Sequence, residues 1–301
     1  MYDLIIVGGG PAGLTAAIYA IRKRLDVFLI SRDLGGKTNY RMELPDMEDH
    51  LVIRGVEVVD KFWRELDYLE FARRLDPVKA IHKKGEIFEV ITTEGDSLQA
   101  RSVILATGSR VRQLGVPGED KFIGRGLSYS AISHAPLFLG KQTAVVGDGA
   151  LALRAVNELS LVAETVNLII RSGEILETRL ARHFLGNSKV VIWEGYSVEV
   201  ILGTDFAERL IVKAPDGTRE ELAVDGIFVE LGLIPNSDMV RDLADLDEEG
   251  RVLVDNVNRT SCPGLFAAGD VTDAYAEQVL IAVGEGAKAA LSAFDYLMPV
   301  L

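Results

Sequence analysis

Cysteine is almost missing from this chain: its 301 residues include one, Cys262. One cysteine cannot close an intrachain disulfide, and thiol–disulfide exchange within a single chain needs two. Such a composition fits a reducing compartment, and the cytoplasm is the expected location. Positive charge is scarce as well. Lysine and arginine number 32 against 45 acidic residues, for a formal net charge of −13. That balance argues against general binding to nucleic acid or to anionic membrane, both of which need a basic surface to neutralise phosphate. No unbroken apolar run has the length of a membrane span. The nearest, Leu4 to Ile21, carries no charge over 18 residues but is interrupted by Gly8, Gly9, Gly10 and Pro11. It has neither the basic start nor the cleavage site of a leader, so it reads as strand, turn and helix. Low-complexity tracts and short-period repeats are also absent.

What remains is 48% hydrophobic and 26% charged, the profile of a soluble globular protein with room for two domains. One plan occurs twice. Asp3 to Val7 predicts a short buried strand, followed by glycines, a helix from Ala12 to Arg24 and a strand from Asp26 to Ile30. Thr143 to Val146 opens the second copy, followed by glycines, a helix from Ala150 to about Val162 and a strand from Val166 to Ile170. Each copy continues into a meander. Ile87 to Thr92 turns near Gly95 into Leu98 to Leu105, and Leu210 to Lys213 turns at Asp216-Gly217 into Glu220 to Val224. Each meander closes on a strand ending in glycine, at Gly108 and at Gly232. Beyond the second copy, Val252 to Val254 and Leu265 to Ala268 predict strands, and Glu277 to Tyr296 a last helix. This remnant has no core of its own and is expected to return to the first domain. The fold class is therefore α/β, with two Rossmann-like nucleotide-binding domains.

The chemistry lies in the turns. Gly8-x-Gly10-x-x-Gly13, with Pro11 and Ala12 inside it, stands between strand and helix. In that context the first glycine permits the tight turn and the second lets a pyrophosphate reach the backbone. The third lets the helix pack on the strand with its N-terminus toward the phosphates. Where a ribose-binding acid is expected after the next strand, the sequence reads Ser31-Arg32-Asp33, which puts a direct ribose carboxylate in doubt. Gly147-x-Gly149-x-x-Ala152 repeats the pattern. A third turn, Ala267-Ala268-Gly269-Asp270, ends a buried strand in an aspartate able to accept a hydrogen bond from a ligand hydroxyl.

Taken with Gly35-Gly36, Ala106-Thr107-Gly108, Gly232-Leu233-Ile234-Pro235-Asn236 and Glu277-Gln278, these turns resemble the low-molecular-weight thioredoxin reductases over nearly their whole length. The resemblance implies a discontinuous FAD-binding domain at 1–113 and 243–301 with an NAD(P)H-binding-like domain at 114–242 inserted in it. It implies FAD held by Gly8, Gly10, Pro11, Ala12, Gly13, Ser31, Arg32, Gly35, Gly36, Ala106, Thr107, Gly108, Gly269 and Asp270, with Gln278 and Val279 at the start of the last helix. It also implies NAD(P)H at Gly147, Gly149 and Arg171, and a homodimer.

Three departures qualify it. The family's Arg-Gln pair is Glu277-Gln278 here. Its His-Arg-Arg run, which grips a 2′-phosphate, is Ile170-Arg171-Ser172, with Arg154 adding charge in the preceding helix. Where the family carries Cys-x-x-Cys-Asp, this chain has Ser130-Ala131-Ile132-Ser133-His134. Hydroxyls cannot exchange with a disulfide, so the candidate catalytic residues become Ser130, Ser133 and His134. His134 either moves a proton beside the flavin or is a surface histidine at a helix start. Basic clusters at Arg22-Lys23-Arg24 and at Arg179, Arg182 and His183 are solvated helix faces or docking points for an acidic protein.

Three functions stay open at this stage. One is an FAD-dependent oxidoreductase moving electrons from a nicotinamide or protein donor to an acceptor that is not a disulfide. Another is a ferredoxin– or flavodoxin–NAD(P) reductase, against which the acidic surface and the short segment after Asp270 both weigh. The third is a flavin-holding sensor or interaction protein without catalysis.

Overall fold

The apolar run that opens the chain is buried on both faces, as a central parallel strand requires. In the computed structural model, which describes residues 1–39, 42–45 and 73–300, this run is β1 (Tyr2–Gly9). Leu4 and Ile6 point into a core shared with helices, whereas Ile5 and Val7 point into a second core on the opposite face. Helix α1 (Pro11–Arg22) begins with proline at its first position, where a missing N–H costs nothing, and Leu14 N closes its first turn on Gly10 O. It leads to β2 (Val27–Leu34), parallel to β1. Then come β3 (Arg73–Leu75), β4 (Val78–Lys84), β5 (Ile87–Thr92) and β6 (Ser97–Leu105), giving the order β3-β2-β1-β6-β5-β4. Strand β6 has two roles. Its first half pairs antiparallel with β5, and its second half runs parallel to β1, with Val7 opposite Leu105.

After β7 (Ser109–Val111) and a one-turn helix α2 (Glu119–Phe122), the chain builds a second Rossmann-like sheet. Its strands are β8 (Leu127–Ser128), β9 (Gln142–Val146), β10 (Thr165–Ile170) and β11 (Val190–Glu194). Helix α3 (Ala131–His134) follows β8 as a single turn, and α4 (Ala150–Val162) joins β9 to β10. The antiparallel set β12 (Ser197–Gly203), β13 (Ala207–Lys213) and β14 (Arg219–Ala223) turns at Asp216-Gly217, where Asp216 Oδ1 accepts from Thr218 N. Strand β15 (Gly226–Val229) completes an all-parallel order β11-β10-β9-β15-β8. β16 (Leu233–Pro235) pairs with β7 as a two-stranded ribbon.

The remaining chain adds β17 (Leu265–Ala267), parallel to the second half of β6, and α5 (Val279–Leu297), which packs on α1. Gly286 makes that packing possible: a Cβ there would stand 2.1 Å from Ala12 O. Val252 to Val254 is not a strand. Val252 makes only isolated bridges to Leu246 and Thr272, because the chain turns away after one paired residue. Of the described residues, 1–39, 73–110 and 234–300 form one compact unit, and 42–45 and 111–233 the other. Among the described residues no helix is long and apolar enough to cross a membrane.

Candidate functional site

In the first unit, β1, β6 and β17 end at one level: Val7 faces Leu105, and Leu105 faces Ala267. Three turns therefore leave the same sheet edge together, the edge where open α/β sheets bind ligands. Gly8 has φ +114°, and a Cβ there would strike Ala106 O at 2.2 Å, so only glycine lets the first turn pass beneath the second. A Cβ on Gly13 would lie 1.8 Å from Gly8 O, which is how closely α1 seats on its strand. Gly10 is different: no atom lies within 4 Å of where its Cβ would be. Its backbone faces open space at the start of α1, with Gly36 on the other side placing a Cβ 3.5 Å from Gly10 Cα. A pyrophosphate fits such a cradle, which combines free helix N–H groups with no side chain in the way.

Polar contacts fix the loops around it. Ser31 does not wait for a ribose; its buried hydroxyl accepts from Gly9 N at 2.7 Å. Arg32 is exposed and pairs with Asp33, whose other oxygen accepts from Gly36 N at 3.1 Å. Thr107 donates to Asn236 O at 2.7 Å, and Asn236 Nδ2 returns a bond to Thr107 O at 2.9 Å, which locks the Ala106-Thr107-Gly108 turn. Gly269 N donates to Glu285 Oε2 at 2.7 Å, and burial pushes that carboxyl above its ordinary value. Asp270 meets Lys37 Nζ at 2.7 Å, and the same ammonium reaches Ser109 Oγ at 2.9 Å. Gln278 starts α5 without a side-chain cap, so first-turn amides from Val279 onward stay available. Lys37, Glu285 and Asn236 are the site residues that sequence reading underrated. Only a charged residue directly after Gly35-Gly36 hinted at the first.

The second unit repeats the glycine turn. A Cβ on Gly147 would meet Glu230 O at 2.4 Å, whereas Gly149 again faces open space. Arg171 follows β10 but is not a free cation: Asp148 holds both its backbone N–H and its Nε, each at 2.6 Å. Ser130, Ser133 and His134 belong to this unit and cluster around α3. Ser130 Oγ donates to Ser133 Oγ at 3.0 Å, and Ala131 N donates to the buried Glu230 carboxylate at 2.7 Å. His134 is the last residue of α3 and the N-cap of a 3₁₀ turn at Ala135–Phe138. Its Nδ1 lies 2.8 Å from Ser128 Oγ, a partner the sequence did not single out.

Burial holds the His134 imidazole below its ordinary value. An unfolded histidine titrates near about 6.5. On acidification the unfolded chain therefore takes up the proton first. The stability contributed by neutral His134 is full above that pH and is lost as pH falls toward the depressed folded value. His134→Gln should flatten the acid-side decline in thermal midpoint below about pH 6.5 and leave the midpoint at pH 8 nearly unchanged. Parallel pH curves for variant and parent would refute this.

The match to known proteins is extensive. A family model described as pyridine nucleotide-disulphide oxidoreductase covers residues 2–286. The chain belongs to that family. It is 36% identical to the F component of alkyl hydroperoxide reductase from Pseudomonas putida over 99% of its length, and 33% identical to the same component from Staphylococcus aureus. It spans 58% and 59% of those two relatives. Among solved structures, thioredoxin reductase of Streptococcus pyogenes superimposes with a TM-score of 0.90 at 33% identity, covering 99% of both chains. Thioredoxin reductase of Giardia duodenalis gives 0.87 at 26% identity, again over 99% of both. The fold is the α/β, Rossmann-like, thioredoxin reductase-like one of this oxidoreductase family.

Proposed function

We propose that the protein is an FAD-dependent oxidoreductase that passes electrons from a nicotinamide or a protein donor to an acceptor other than a disulfide. One observation carries the reading: the open cradle at Gly10, flanked by turns that Asn236, Asp33 and Glu285 hold in place, with Asp270 at its far end. Bound there, FAD would supply two-electron uptake and either one- or two-electron release. The chain's own groups bind and orient it. The α1 N-terminus and the Gly8–Gly13 turn take the pyrophosphate. Asp270 would accept from a ribityl hydroxyl in exchange for part of its contact with Lys37, and the uncapped first amides of α5 would offer their positive dipole ends to the flavin. The serines at 130 and 133 offer hydroxyls only, and His134, neutral at physiological pH, can accept a proton. By family resemblance the reading includes a homodimer, and the composition favours the cytoplasm.

Purified protein should be yellow, with about one FAD per chain. Asp270→Ala should weaken FAD retention by about 1–3 kcal/mol through loss of a partly buried acceptor. Anaerobic mixing with NADH then tests the donor: bleaching of the flavin supports an enzyme. A folded, colourless protein that ignores added FAD would overturn the proposal.

A further inference from the structure

The second glycine turn carries an acid in its middle. Asp148 lies between Gly147 and Gly149, and its carboxylate is engaged through both oxygens. Oδ1 accepts from the backbone N–H of Arg171 and Oδ2 from that residue's Nε, each at 2.6 Å. The backbone bond is the informative one. Arg171 is exposed and its guanidinium can swing away, but the carboxylate stays fixed at the end of β10 because the strand itself holds it. A second acid stands nearby. Glu194 ends the neighbouring strand opposite Ile170, and a Cβ on Gly173 would meet its Oε1 at 2.3 Å, so this carboxylate lies against the run that follows Arg171.

The end of this strand is where a dinucleotide-binding unit reads the adenosine ribose, with an acid for a free 2′-hydroxyl or arginine for a 2′-phosphate. Here the arginine is already neutralised, and two carboxylates border the place where such a phosphate sits. We propose that Asp148 is the specificity-determining residue of a nucleotide site in this unit. It selects the unphosphorylated dinucleotide by engaging Arg171 and so withholding that guanidinium from a 2′-phosphate. Discrimination of this kind works against the wrong ligand more than for the right one. The inference rests on the proposed reading of this unit as a nicotinamide site.

Calorimetric titration of the full chain, loaded with FAD, with NAD⁺ and NADP⁺ tests it without any redox step. The parent should bind NAD⁺ at least about ten-fold tighter, a difference of about 1.4 kcal/mol. Asp148→Asn keeps the size and removes the charge; it should tighten NADP⁺ at least about ten-fold and change NAD⁺ less than about three-fold. Adding Arg171→Ala to that variant should abolish the gain, since the released guanidinium provides it. Asp148→Ser serves as a second neutral variant should the asparagine disturb the turn. Equal affinity of the parent for both nucleotides, an unchanged ratio in both neutral variants, or a gain that survives loss of Arg171 would each overturn the assignment while leaving the nicotinamide site standing. Binding of neither nucleotide, by the parent or by the variants, would overturn both.

Discussion

Thioredoxin disulfide should not be turned over when this chain is supplied with NADH or NADPH. Reduction of a disulfide proceeds by thiolate attack to a mixed disulfide, which a second thiol then resolves. The chain has one sulfur nucleophile, Cys262, and it is poorly suited to attack: it is buried, and burial pushes its thiol above the ordinary value. By the sequence resemblance, Ser130 and Ser133 stand where thioredoxin reductases are expected to carry cysteines, and serine forms no S–S bond. Their geometry is nonetheless that of a closely set pair, with oxygens 3.0 Å apart. A disulfide needs Cβ atoms only about 3.8 Å apart. The double substitution Ser130→Cys and Ser133→Cys is therefore expected to close an internal disulfide on oxidation, detectable as two thiols lost to an alkylating reagent. Multiple turnovers of thioredoxin by the unmodified chain, followed through its free thiols, would contradict the expectation directly.

The other large effect is structural. Gly286→Val should destabilise the first unit by about 3 kcal/mol or more, the upper end for forcing volume into a packed contact. The opposing atoms are backbone: a Cβ at 286 would stand 2.1 Å from Ala12 O and 2.9 Å from Ala12 Cα, so no side chain can rotate to make room. Displacing α1 would also move its N-terminus, and FAD retention should fall with stability. Gly284 in the same helix provides the internal control. No atom lies within 4 Å of its Cβ position, so Gly284→Ala should gain up to about 1 kcal/mol from helix propensity alone. Urea unfolding of the two variants should move in opposite directions from the parent. A Gly286→Val protein as stable as the parent would mean that the two helices separate more readily than their contact implies.

Much of the fold was legible because its signals are local. Both faces of β1 are apolar, the glycine turns sit between strand and helix, and Asp216-Gly217 marks a hairpin where one occurs. Val252 to Val254 misled because three consecutive apolar residues suit a strand and a single bridge equally well, and only the neighbours decide. The cradle itself was legible, since phosphate binding is mostly backbone and glycine. Its supports were not. The pairs Lys37 with Asp270 and Glu285 with Gly269 join residues by side chains whose partners the folded chain selects, and so does Ser128 with His134 in the second unit. Asp148 was in plain view between two glycines, but its hold on Arg171 needs the return of β10 beside β9.

The division of β6 between two sets of partners has a consequence for how the protein is made. Its second half stays open on one edge until Leu265 to Ala267 arrive, and Ser102 Oγ waits equally long for Gly264 O. By then every residue of the second unit has left the ribosome, with its parallel sheet and antiparallel strands all contributed by a contiguous stretch. The inserted unit can therefore mature before its host, which must wait for β17 and α5. Until α5 covers α1, the nascent first unit presents an apolar helix face and an unpaired strand edge to its surroundings. Maturation thus follows neither chain order nor the order of the two glycine turns: the half that starts first finishes last.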